Sequence, residues 1–142
     1  MPKILVAVDG SENSGRVIDF LIKKSGWYNE SVEVQLLNVQ MPIAGVNVKM
    51  FISNESLNEY YRDEGTAALK RAREKLDAAR VPYVHHIGVG DPAEVIVEYA
   101  KAKGCDQILM GSRGLGSVSS LVLGSVATKV LHLTDVPVTL IR

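Results

Sequence analysis

Between Gly111 and Ser125 the chain places four glycines and five serines in fifteen residues, directly after the apolar run QILM. Glycine in regular structure costs roughly 0.5–1 kcal/mol relative to alanine, so this concentration asks for a reason. Gly124 and Ser125 fall just before a helical stripe of Val126, Val130 and Leu131. At such a helix start the backbone N–H groups lack intrahelical partners, and the positive end of the helix dipole favours an anion. Gly111 and Gly114 let the backbone turn around that anion, Arg113 adds a charge, and Ser125 adds a hydroxyl donor. The chemistry these types and spacings suit is the holding of a phosphate.

Two other glycine patterns compete less well. A Walker A loop needs G-x4-G-K-[ST], but Gly116 is followed by Ser117, so the phosphate-reaching lysine is missing. The run GVGDPA, Gly88 to Ala93, matches G-x-G-x-x-[GA] between a strand and a helix. Its Asp91, however, puts a carboxylate where a pyrophosphate would rest, and the motif does not lie in the first βαβ unit. Asp91 reads as a helix cap.

The elements that must position these residues follow from periodicity. KILVAV, VEVQLLNV, YVHHIGV, QILM and VPVTLI are short apolar or β-rich runs separated by segments of helical period. In the first helix Val17, Ile18, Leu21 and Ile22 share a face, with Ser11 as N-cap and Gly26 as the stop. In the second, the predicted apolar stripe is Leu57, Tyr61, Ala68, Ala72, Leu76 and Ala79, with mixed charges opposite. The third opens on Asp91, Pro92 and Glu94, close to a capping box, and closes at Gly104.

Continuous apolar strands alternating with helices predict parallel βαβ units covered on both faces, a doubly wound α/β fold. A chain that runs outward through its first three strands and then crosses back gives the order 3-2-1-4-5. Ligands in such sheets bind where the order reverses, beyond the carboxyl ends of the strands. That point lies between Asp9, which ends the first strand, and Gly111, which ends the fourth. Asp9 is the acid expected in the crevice.

Composition bounds the function. With 142 residues the chain reads as one domain, 1–142, and sixteen basic against sixteen acidic residues give zero formal charge. No global field draws it to nucleic acid or to an anionic membrane, so an anion site must be local. The single Cys105 excludes an intramolecular disulfide and reads as a buried, inert thiol, which suits a reducing cytoplasm. The first apolar run stops at Asp9 and Gly10, too short for a signal peptide, and no apolar run approaches the ~18 residues of a membrane span.

Other chemistry-bearing residues are weaker candidates. His85 and His86 are adjacent in a strand, point to opposite faces and cannot share a metal; His132 lies near the end of the last helix. Hydrolysis needs an oriented water and usually a base, and beyond Asp9 none is apparent, so fast catalysis is not expected. The segment Gln40 to Asn54 is longer than the usual βα connection yet rich in apolar residues. A flap over the sheet edge and a lid or subunit contact fit it equally.

The spacing Gly111-x2-Gly114-x9-Gly124-Ser125 resembles the G-x2-G-x9-G-[ST] signature of ATP-binding members of the universal stress protein family. The likeness runs over nearly the whole chain: ILVAVDGSENS resembles the family's opening strand, LLNV its second, GDPAEVIVEYA its third helix start and VPVTLIR its last strand. It implies an adenine nucleotide alpha hydrolase-like fold and bound ATP, AMP or ADP. Asp9 would lie near the adenosine, the backbone of Val39 at the adenine edge, and Met110 and Gly111 beside the ribose. Gly114, Gly124, Ser125 and Val126 would surround the phosphates with Arg113 close by, and Mg²⁺ would be held mainly by the phosphates. Some relatives carry a hydroxyl residue after the Ser-Val pair, where this chain has Ala127.

The resemblance implies a cytoplasmic ATP-binding regulatory or stress-response protein with a downstream protein partner. The alternatives are a slow ATPase or another ATP-using enzyme on the same fold, and a nucleotide-free dimeric scaffold. Neither an H-x-G-H nor an S-G-G-x-D-S element, expected of enzyme relatives, occurs at VDGSENS. The last strand, at a sheet edge, carries neither charge nor proline from Val138 to Ile141, which predicts a homodimer paired through Val138–Arg142.

Overall fold

The computed structural model describes residues 2–27, 31–43, 53–113 and 123–142. The strands are β1 (Lys3–Ala7), β2 (Glu33–Gln40), β3 (Tyr83–Val89), β4 (Gln107–Gly111) and β5 (Val138–Ile141). The helices are α1 (Glu12–Lys24), α2 (Asn54–Ala78), α3 (Pro92–Ala102) and α4 (Ser125–Leu133). All four strand pairings are parallel, and the sheet order is β3-β2-β1-β4-β5, as the crossover argument predicts.

The central strands are buried on both sides because helices cover both faces. Val17, Ile18 and Leu21 of α1 and Leu69, Ala72 and Leu76 of α2 pack on Ile4, Val6, Val34 and Leu36. On the other face Ile96 and Ala100 of α3 and Ala127 and Val130 of α4 meet Leu5, Leu37, Ile108 and Met110. Each such fully buried aliphatic side chain contributes roughly 1.5–3 kcal/mol, which makes these two layers the main source of the fold's stability.

Local signals place most helix ends. The Ser11 hydroxyl accepts from Ser14 N–H, and the Asp91 carboxylate accepts from Glu94 N–H with Pro92 in the first turn. The box at α3 is half made, since Glu94 turns its carboxylate to Lys129 at 3.5 Å. Gly26 does not stop α1: the helix ends at a Ser25 cap and runs into a short 3-10 turn, Ser25–Trp27.

The predicted stripe of α2 needs correction. Ala79 is exposed and forms the helix cap, Ala68 is only partly buried, and the inward positions are Leu57, Gly65, Leu69, Ala72 and Leu76. Ala68 lies on the flank beside Gly10, and Leu69 takes the core position.

Candidate functional site

The crevice arises where the pairing between β1 and β4 ends. Ala7 and Met110 are the last paired residues of β1 and β4. Beyond them each strand stays bonded only to its outer neighbour: Val8 donates its N–H to Leu37 of β2 at 2.9 Å, and Ser112 donates its N–H to Ile141 of β5 at 2.8 Å. The two chains therefore part, and a cleft of about 430 Å³ opens at the carboxyl ends of the strands. Asn38, 2% exposed, holds the β1 side by donating to the Val8 carbonyl at 2.8 Å.

One wall carries Asp9. Its Oδ1 accepts from the Ser11 N–H at 2.9 Å and from the Ser14 hydroxyl at 2.8 Å, a clamp that fixes the carboxylate across the turn into α1. Val39 and Gln40, at the end of β2, continue this wall. The opposite wall is Met110, Gly111, Ser112 and Arg113, with Gly124, Ser125 and Val126 at the start of α4.

Sequence reasoning thus brings together Asp9, Val39, Met110, Gly111, Arg113, Gly124, Ser125 and Val126, all of which line one cleft. Gly114 and most of the Gln40 to Asn54 segment lie outside the described residues; of that segment, Gln40 and Met41 line the cleft. Ser14, Asn38 and Ser112 also line it and were not foreseen, because their roles come from hydrogen bonds to distant or turned backbone. The spacing of Ser14, five residues after Asp9, was the available signal.

Gly124 precedes α4 as its N-cap and offers no side-chain oxygen to the first-turn N–H groups. Its own N–H is bound to the Ser112 carbonyl at 2.7 Å, and an added Cβ would sit 3.3 Å from that oxygen and 3.4 Å from Arg113 Cα. Glycine here permits close approach between the helix start and the β4 exit. α3 differs: Asp91 fills its start with a carboxylate that also pairs with Lys129 at 3.0 Å. The Glu94 N–H first and Lys129 second hold the Asp91 carboxyl below its usual range, and the Asp91 hydrogen bond raises Lys129. Ala127, in place of a hydroxyl, is 2% exposed and packs into the core.

The histidines lie elsewhere. His85 stands beside Tyr83, whereas His86 on the other face contacts Gln35 at 2.6 Å and the ring of Tyr99, and burial lowers its basicity. Among the described residues no group of three or more His, Cys, Asp or Glu side chains could hold a metal. Cys105 is buried, which pushes its thiol up.

A parallel α/β sheet with a cleft at its strand-order reversal, walled by a clamped carboxylate and a glycine-capped helix start, defines a protein of the doubly wound α/β class. The profile of the universal stress protein family matches residues 1–142, and the chain belongs to that family. It is 32% identical to universal stress protein YxiE of Bacillus subtilis, an alignment spanning 99% of this chain and 98% of the relative. The solved structure of MJ0577, a Methanocaldococcus jannaschii universal stress protein, superposes with a TM-score of 0.81 at 27% identity, covering 98% of this chain and 94% of the other. A family member from Arabidopsis thaliana, solved with AMP bound, gives 0.68 at 26% identity, covering 99% and 91%.

Proposed function

We propose that this chain binds an adenine nucleotide, ATP or its products ADP and AMP, in the crevice between β1 and β4 and acts as a regulatory stress-response protein. The observation that carries the reading is a contrast between helix starts. α1 and α3 are capped by their own oxygens, from Ser11 and Asp91, whereas α4 begins on Gly124 and presents its first-turn N–H groups to the cleft. Family membership and the AMP held by the Arabidopsis relative support the class of ligand.

In this reading the adenosine lies toward Asp9 and the backbone of Val39, with Met110 and Gly111 beside the ribose. Arg113, Gly114, Gly124, Ser125 and Val126 surround the phosphates, and Mg²⁺ takes its ligands mainly from phosphate and water. The Asp9 Oδ1 already accepts two hydrogen bonds, which suits a fixed acceptor for ligand hydroxyls better than a base that must take up a proton. Regulation, with at most slow hydrolysis, fits that geometry. The chain works as a single domain in the cytoplasm, as a homodimer joined through Val138–Arg142, and passes its nucleotide state to a protein partner. Among the described residues no helix is long and apolar enough to cross a membrane.

Mass spectrometry of gently purified protein, followed by calorimetric titration with ATP, AMP and adenosine, tests the reading. Copurified adenine nucleotide and saturable ATP binding are expected. Absence of both overturns it.

A further inference from the structure

Asn13 lies in the first turn of α1 and is 5% exposed. Its side-chain amide bridges two chain segments far away in sequence: Nδ2 donates to the Ile141 carbonyl at 2.9 Å, and Oδ1 accepts from the Arg113 backbone N–H at 3.0 Å. The Ile141 carbonyl also accepts from the Ser112 N–H, and the Ser112 carbonyl in turn accepts from the Gly124 N–H. One buried amide is thus the root of a chain of hydrogen bonds that runs from α1 through the ends of β4 and β5 to the start of α4. A Cβ at Gly111 would collide with the Asn13 side chain, so the glycine that ends β4 is matched to this amide.

The same first turn of α1 holds the clamp on Asp9 through Ser11 and Ser14. Asn13 therefore ties the two walls of the crevice to one rigid element. We propose that Asn13 is a positioning residue of the nucleotide site: it sets the Gly111–Arg113 wall and the α4 start against the Asp9 wall, so that recognition of the phosphates depends on it more strongly than recognition of the nucleoside does. This rests on the adenine-nucleotide reading above. In that reading the adenine and the phosphates are held by different walls, with the ribose between them, and a rigid cradle spends less binding energy on ordering itself than a loose one.

The experiment is calorimetric titration of ATP, AMP and adenosine into the wild-type protein and Asn13→Ala, with amide hydrogen exchange at Arg113 and circular dichroism on both. Removing one buried hydrogen-bond partner is enough for roughly a tenfold loss, expected for ATP, with adenosine changed less than about threefold and Arg113 exchanging faster. A merely structural role would move all three ligands alike. Asn13→Ser, whose hydroxyl is too short to make both contacts, carries the same comparison if the alanine variant does not fold. Equal losses for ATP and adenosine, or no loss, overturn the proposal. A wild-type protein that binds none of the three overturns the nucleotide reading itself, and the role of Asn13 falls with it.

Discussion

The Ser14 hydroxyl meets Asp9 twice, donating to Oδ1 at 2.8 Å and accepting from the Asp9 backbone N–H at 2.9 Å. The bridge closes the turn at Gly10, whose φ of +84° few other residues tolerate, and it fixes the carboxylate against the start of α1 at the cleft wall. Ser14→Ala is expected to lower stability by about 1 kcal/mol, because two part-buried groups of Asp9 lose one hydroxyl. It should weaken adenosine and ATP binding together, unlike the phosphate-selective loss expected at Asn13. Denaturant titration and calorimetry measure both effects, and unchanged adenosine affinity would separate Asp9 from nucleoside recognition.

Gly124→Val places a branched side chain where a Cβ already meets the Ser112 carbonyl at 3.3 Å. The β4 exit must move away from the start of α4, and the phosphate site opens. ATP affinity should fall by about tenfold or more, the scale of one or two lost charge-assisted hydrogen bonds, while circular dichroism stays native. An affinity within error of wild type would move the phosphates elsewhere.

Leu140→Pro tests the edge pairing. Pro137 and Ile141 accept through their carbonyls from Ile108 and Ser112 of β4, so by ladder alternation Val138 and Leu140 direct their backbone groups outward. Among the described residues no strand lies beyond β5. Light scattering should give roughly twice the 15.4 kDa chain mass for the native protein and a shift toward the monomer for the variant, which lacks one outward donor. A native protein that stays monomeric at high micromolar concentration refutes pairing through this strand.

The Asp91–Lys129 pair joins the start of α3 to α4, and its pH dependence has a definite sign. Asp91 is held below the ordinary value of 3.8 for a free carboxyl by the Glu94 N–H and then by Lys129, so its contribution is present above that value and is lost as pH falls through the folded one. Lys129 is raised above 10.5 by Asp91, and its contribution disappears only as pH rises through the folded value. Asp91→Asn keeps a capping oxygen but loses the ion pair; Asp91→Ala loses both and should melt lower. Thermal melts of wild type and Asp91→Asn should differ at neutral pH and converge in acid. A difference unchanged below pH ~3 would assign the effect to something other than the carboxylate charge.

Helix starts at Ser11, Asp91 and Gly124, the five strands and the walls of the crevice were legible in the sequence, because caps, apolar runs and glycine spacings act within a few residues of one another. The order β3-β2-β1-β4-β5 was legible too, since the crossover places the two distinctive loop starts side by side. The core face of α2 was not. Period alone cannot choose between Ala68 and Leu69; the nearness of Gly10 on one side and the sheet on the other decides it. Nor could the sequence by itself single out Asn13 or Asn38. A buried amide acquires a role only from the partners that folding delivers, here backbone groups of Ile141, Arg113 and Val8. Apolar pattern determined which segments pair and which helices cover them; the tertiary structure decided which polar side chains hold the parted strands open, because those bonds join residues that only the folded chain brings within 3 Å.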